Sequence, residues 1–162
     1  MTSQISKIKV VAIIVALVVF QCVCNGQDSQ AILSGIAQLE RVEAMYPEKV
    51  EPKFQLALQC LNYSVMNPHA EQTEGLLTKA AQKIDALEQM DGSDPSDICT
   101  LKGFFYMVRI VQDPAKNGQR YYLDVMQYFE KALKLNPENA LAGQLQQKFL
   151  EGMKNAYICP QK

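Results

Sequence analysis

The spacing of apolar residues predicts that almost all of the chain after its first 26 residues is helical. Apolar side chains recur every three or four positions between residues 28 and 46, as they do on one face of an α-helix. The same spacing continues over residues 52–66, 69–90, 95–111 and 119–135, and from 138 to about 156. No stretch alternates convincingly like a strand. The pattern therefore predicts six helices and an all-α fold.

Prolines mark the boundaries of the predicted helices. Pro47 follows the first helix, Pro95 opens the fourth, and Pro137 separates the fifth from the sixth. Proline disfavours the helical conformation in the residue before it, but it is well tolerated in the first turn of a helix. We therefore expect Asp94 to cap the fourth helix. The prolines divide the chain into helical pairs, and residues 113–118 are predicted to form a loop.

The fourth predicted helix is the most apolar of these six segments. Its apolar side chains cover most of the helix circumference, and they are Leu101, Phe104, Phe105, Met107, Val108, Ile110 and Val111. A helix that is apolar nearly all round is buried on several sides. We therefore expect this helix at the centre of the fold.

Residues 101–142 carry a family resemblance. Gly103 and Tyr106 stand at the small and aromatic positions of the first helix of a tetratricopeptide (TPR) unit. Phe129, Ala132 and Pro137 match the second helix and its exit. The chain resembles the small exported TPR-like proteins of Gram-negative bacteria. The resemblance implies a stack of about three antiparallel helical pairs that binds other proteins and has no catalytic apparatus.

The match is looser elsewhere in the chain. The dividing prolines lie 48 and 42 residues apart, whereas a TPR unit has 34 residues. The repeats are therefore degenerate, and a helical bundle without repeats is the alternative architecture.

The amino-terminal segment predicts export. Lys7 and Lys9 give a positive start, residues 10–20 are apolar without interruption, and a polar stretch follows. This is the pattern of a secretory signal peptide, and the apolar run is shorter than the roughly 20 residues that a membrane-spanning helix needs. We expect cleavage after Gly26, which leaves residues 27–162 as one helical domain. The mature protein is then expected in the periplasm or outside the cell, with no stable membrane span.

The cysteines allow one alternative and one structural expectation. Lipid attachment at Cys22 or Cys24 is the alternative to cleavage, although the residues before either cysteine fit that signal poorly. The mature chain keeps Cys60, Cys99 and Cys159. If the helices that carry Cys60 and Cys99 run side by side, the two residues are offset by about 13 Å along the axis, too far for a disulfide. We therefore expect both to be buried thiols.

Charge and residue types argue against several functions. The chain has 16 basic and 17 acidic residues and no basic patch, so we expect no nucleic-acid binding. His69 is the single histidine and lies in a predicted turn, and the cysteines are not clustered. Nucleophilic catalysis and zinc sites need such groups close together. We therefore expect no enzyme activity, no catalytic residue, no cofactor and no metal.

The remaining expectations concern binding. A stack of first helices would leave a groove, and the side chains predicted to reach it are Phe54, Tyr63, Phe104 and Arg109. The sequence thus favours a non-enzymatic module that binds a protein or peptide of unknown identity. The opposing interpretation is that these aromatic residues are core. A second hypothesis is an exported carrier of a small apolar molecule, with an internal pocket among Phe104, Met107, Tyr122 and Met126.

Overall fold

The computed structural model describes residues 29–158, with side chains to residue 154. Six helices fill this range: α1 (Ser29–Met45), α2 (Val50–Met66), α3 (Thr73–Glu88), α4 (Pro95–Gln112), α5 (Pro114–Leu135) and α6 (Ala140–Ile158). The described residues contain no strand, so the predicted all-α class is confirmed. The predicted signal peptide and its cleavage site lie outside the described residues, as do Cys22, Cys24 and Cys159.

The helices pack as consecutive pairs in a repeat-like stack. The most extensive contacts join α4 to α5 and α2 to α3, and α1 covers α2. Helix α4 also contacts α2, α3 and α6, which confirms its predicted central place. Each pair therefore shares its core with the next, as in architectures where stacking buries what one pair cannot.

Capping side chains decide where the later helices begin. The carboxylate of Asp94 accepts the backbone N–H of Ser96 at 2.8 Å, so its predicted role as a cap is confirmed. Asp113 caps α5 in the same way, accepting the backbone N–H of Lys116 at 3.1 Å. The predicted loop at residues 113–118 is therefore wrong, because an Asp cap followed by Pro114 starts the helix at once. Helix α3 begins at Thr73, four residues later than predicted, after a run of turns.

Small residues let α4, α5 and α6 approach one another closely. Ala132 is fully buried and packs with Cys99 and Ala142 in a cluster of its own. The predicted tight packing at Ala132 is therefore confirmed. Cys60 and Cys99 are free, buried thiols, also as predicted. Burial raises the pKa of Cys60 to about 12 and also raises that of Cys99, so both stay protonated at neutral pH.

A buried polar network fixes α6 against α4. The amide of Asn139 donates to Ser96 Oγ and Asp97 Oδ1, both at 2.9 Å, and to Thr100 Oγ1 at 3.3 Å. Its carbonyl oxygen accepts the backbone N–H of Ala142 at 3.0 Å, which caps α6. One side chain therefore both starts the last helix and ties it to the central one.

Ion pairs attach α1 to the following pair of helices. Glu43 accepts from Lys83 at 2.7 Å and lies 3.5 Å from the ammonium of Lys53. Burial acts to raise the pKa of Glu43, but the two lysines outweigh it and the pKa is lowered. Glu40 pairs with Lys79 one turn away. None of the helices described is long and apolar enough to cross a membrane.

Candidate interaction surface

The four side chains predicted to line a groove do not share one surface. Tyr63 and Phe104 are 3% and 2% exposed and belong to the main core, so the prediction that they reach a groove is wrong. Phe54 is half-buried and packs against the same core. Arg109 alone lies on an open face, where its side chain is 28% exposed. Phe104 points inward because its neighbours Phe105 and Tyr106 take the outer side of α4.

The outer face of α4 and the adjoining face of α5 form an aromatic strip. We use this name for Phe105, Tyr106, Tyr121 and Tyr128, which are all half-buried. The Tyr106 ring is at its centre, with ring centroids 5.1 Å from Tyr121 and 5.7 Å from Tyr128. Tyr106 and Tyr128 are nearly parallel, whereas Phe105 meets Tyr106 edge-on at 5.6 Å. These are favourable separations for aromatic pairs, so the rings hold one another in place.

A cation lies over three of the four rings. The guanidinium of Arg109 is 5.4 Å from the ring centroid of Phe105, and that of Arg120 is 5.0 Å from the centroid of Tyr121. The ammonium of Lys102 is 5.8 Å from the centroid of Tyr128. Distances below about 6 Å give an electrostatic attraction between a cation and a ring face.

Carboxylates of α3 hold two of these cations. Arg109 Nη1 donates to both carboxylate oxygens of Glu74 at 2.9 Å, and Gln112 donates to Glu74 at 2.8 Å. The hydrogen bond from Gln112, with that from Arg109, lowers the pKa of Glu74. At the other end of α3, Glu88 accepts from Lys102 at 2.6 Å. The aromatic strip is thus braced from α3 as well as by its own contacts.

Helical spacing explains why these residues meet. On α4, Lys102, Phe105, Tyr106 and Arg109 recur at intervals of three, one and three residues, which is one helix face. On α5, Tyr121 and Tyr128 are seven residues apart, or two turns. Within the described range α3 and α5 are not in extensive contact, so the face of α4 between them stays open.

The aromatic strip offers binding contacts and not a reactive group. Burial, then Tyr128 and Asp124, raises the pKa of Tyr106, so its hydroxyl stays protonated at neutral pH. His69 is exposed in the turn before α3. Among the residues described, no group of His, Cys, Asp and Glu side chains could hold a metal ion. What the surface presents is flat apolar area beside fixed cationic groups.

The side chains predicted to line an internal pocket pack with the core. Phe104 lies within it, while Met107, Tyr122 and Met126 are partly buried against it. The Tyr122 ring lies 5.7 Å from that of Phe149 on α6. These contacts make them part of the junction between α4, α5 and α6.

The aromatic strip was missed in the sequence because attention went to one aromatic residue per helix. The signal was present in the alternation of rings and cations on one face, from Lys102 to Arg109. The stacking of α5 tyrosines on that face depends on the register of two helices, which the sequence does not state. Comparison of the chain with protein-family models, with curated proteins and with solved structures finds no match.

Proposed function

We propose that the chain is an exported, non-enzymatic interaction module that binds a peptide or protein through the aromatic strip. The observation that carries this proposal is a set of half-exposed rings with cations over them, on two helices that are tightly packed together. Tyrosine and arginine are among the residues that most often dominate interface energy. Rigid rings also lose little side-chain entropy on binding, which favours affinity.

Export is part of the proposal and rests on the amino-terminal sequence. The same holds for the TPR-like identity of the helical pairs, which rests on residues 101–142. The all-α stack of pairs supports this assignment, since stacked helical pairs commonly serve as binding surfaces.

A capture experiment with matched variants tests the proposal. The tagged protein and its Tyr121→Ala, Tyr128→Ala and Lys148→Ala variants are incubated with envelope and culture-medium extracts of the source cells. Lys148 is exposed on α6 and serves as the control. We expect the wild type and the control to retain the same partner and the two tyrosine variants to lose it, with each variant's melting temperature measured in parallel.

Two results would count against the proposal. Equal capture by all four proteins would place binding elsewhere on the molecule. Recovery of a small apolar molecule, equally by all variants and without any protein, would favour the carrier hypothesis.

A further inference from the structure

Two arginines beside the aromatic strip have hydrogen-bonding capacity that the chain does not use. Within the described residues, Arg109 donates to other side chains through Nη1 alone, to Glu74 and Gln112. Arg120 is exposed and lies over the Tyr121 ring without a carboxylate partner in the described part of the chain. A guanidinium carries five N–H donors. Both arginines therefore keep donors available to a bound molecule.

The placement of these groups over rings prepares them for a planar anion. A ring contacts the face of a guanidinium, whereas the N–H bonds point outward in the plane of the group. Carboxylates match this in-plane edge with two parallel hydrogen bonds. Because Phe105 and Tyr121 already restrain the two groups, less side-chain entropy is lost when a carboxylate binds them.

The surrounding carboxylates leave this anion preference in place. Glu74 is engaged by Arg109 and Gln112, and Glu88 by Lys102. Asp124 is the opposing charge: it lies near enough to Tyr106 to contribute to the raised pKa of that hydroxyl. Asp124 is one turn from Arg120 on α5, so it is expected to weaken the attraction for a second anion.

We propose that the segment bound by the aromatic strip is acidic, with an Asp or Glu side chain next to an apolar one. The carboxylate binds Arg120 or the free edge of Arg109, and the apolar side chain covers the rings between them. This inference rests on the proposed function, since it names the chemistry of the partner for the same surface.

Single charge changes at the edge of the aromatic strip should then act in opposite directions. Arg120→Gln removes the unpaired cation and should weaken binding of an acidic peptide about tenfold, as expected for a lost charge-assisted hydrogen bond. Asp124→Asn removes the opposing anion and should tighten binding severalfold. Lys148→Gln removes an exposed cation on α6 and should leave binding unchanged. Raised ionic strength should reduce the effect of Arg120→Gln.

A selection from a random peptide library displayed on phage tests the inference without knowledge of the natural partner. The immobilised full chain selects binders, and the Tyr121→Ala and Tyr128→Ala variants then remove those that do not need the aromatic strip. The remaining peptides are sequenced, synthesised and titrated against the wild type and the three charge variants by calorimetry. Arg120 is exposed, so its variant reports on binding even if a tyrosine variant fails to fold.

Each outcome decides the matter. Peptides enriched in Asp or Glu beside apolar residues, with the opposite effects at positions 120 and 124, support the inference. Neutral or basic peptides that depend on the aromatic strip overturn it and leave the proposed function standing. An absence of any peptide that depends on the aromatic strip overturns both.

Discussion

The ring of Phe129 on α5 lies directly against the backbone of Gly103 on α4. A Cβ atom at position 103 would come within 2.8 Å of Phe129 Cε1 and 2.9 Å of Cδ1. Phe129 is fully buried, so its ring has little freedom to move aside. The contact sets how closely α4 and α5 approach, and this approach brings the rings of the aromatic strip together.

Gly103→Ala should therefore destabilise the protein. Overpacking a filled core typically costs about 1–3 kcal/mol, which exceeds the roughly 0.5–1 kcal/mol that alanine gains over glycine in a helix. Gly35 in the middle of α1 is the control, because a Cβ there meets nothing within 4 Å. Urea unfolding should show a lower free energy for Gly103→Ala and an equal or higher one for Gly35→Ala. Equal behaviour of the two variants would contradict the packing described.

Ala132→Phe should have a larger effect than a phenylalanine elsewhere. Ala132 is fully buried among Cys99 and Ala142, and its carbonyl oxygen accepts from Ser96 Oγ at 2.9 Å. A phenyl ring there must separate α5 from α6 or α4, at a cost of about 1–3 kcal/mol or more. Ala44→Phe on the exposed side of α1 is the control. A thermal melt of Ala132→Phe that matches the wild type would show that the helices do not meet at this residue.

Asn139→Ala should loosen α6 selectively. The substitution removes the cap of α6 and leaves Ser96, Asp97 and Thr100 without their shared donor. Loss of a helix cap alone costs about 0.5–2 kcal/mol. Hydrogen exchange should speed up most in α6 and at its contact with α4. Asn136→Ala, whose side chain makes one exposed hydrogen bond to the backbone of Glu138, should change exchange far less.

The stability of the protein should depend on the charge of Asp97 in the acid range. Burial, and then the nearby carboxylate of Asp94, raises the pKa of Asp97, while Asn139 opposes the shift and Glu51 adds to it. The folded state therefore binds this proton more tightly than the unfolded state. The stabilisation is complete below the usual pKa of an aspartate and is lost as pH rises through the raised value.

Asp97→Asn removes this titration and isolates it from other groups. The difference in free energy of unfolding between variant and wild type should move in favour of the variant as pH rises from about 3 to neutrality. Above that range it should stay constant. Chemical denaturation of both proteins over the pH series measures it, and a difference that moves in favour of the wild type on raising the pH would contradict the assignment.

Local signals in the sequence were enough to predict the helices and the centre of the fold. Apolar spacing and prolines gave five of the six helix starts to within about four residues, and the apolar circumference of α4 gave its central place. The start of α5 was missed because Asp113 and Pro114 were interpreted as part of a loop and not as a cap and first turn. Those two residues carry the signal for a helix start, so this error was avoidable.

The candidate surface could be predicted only in part. Arg109 was identified, but Tyr63 and Phe104 were assigned to a groove and lie in the core. An aromatic residue carries no local mark of which side faces solvent until the neighbours of its helix are known. The cluster of Tyr106, Tyr121 and Tyr128 depends on the register between α4 and α5, which the contact of Gly103 with Phe129 sets.

Site-specific cross-linking in the cells that produce the protein tests the central claim most directly. A photoreactive phenylalanine analogue replaces Tyr121 in the aromatic strip or, as the control, Gln147 on the exposed side of α6. We expect light to yield a discrete cross-linked protein from position 121 and none from position 147. A cross-linked protein from position 147 alone, or none from either position, would contradict the proposal that the aromatic strip binds a partner.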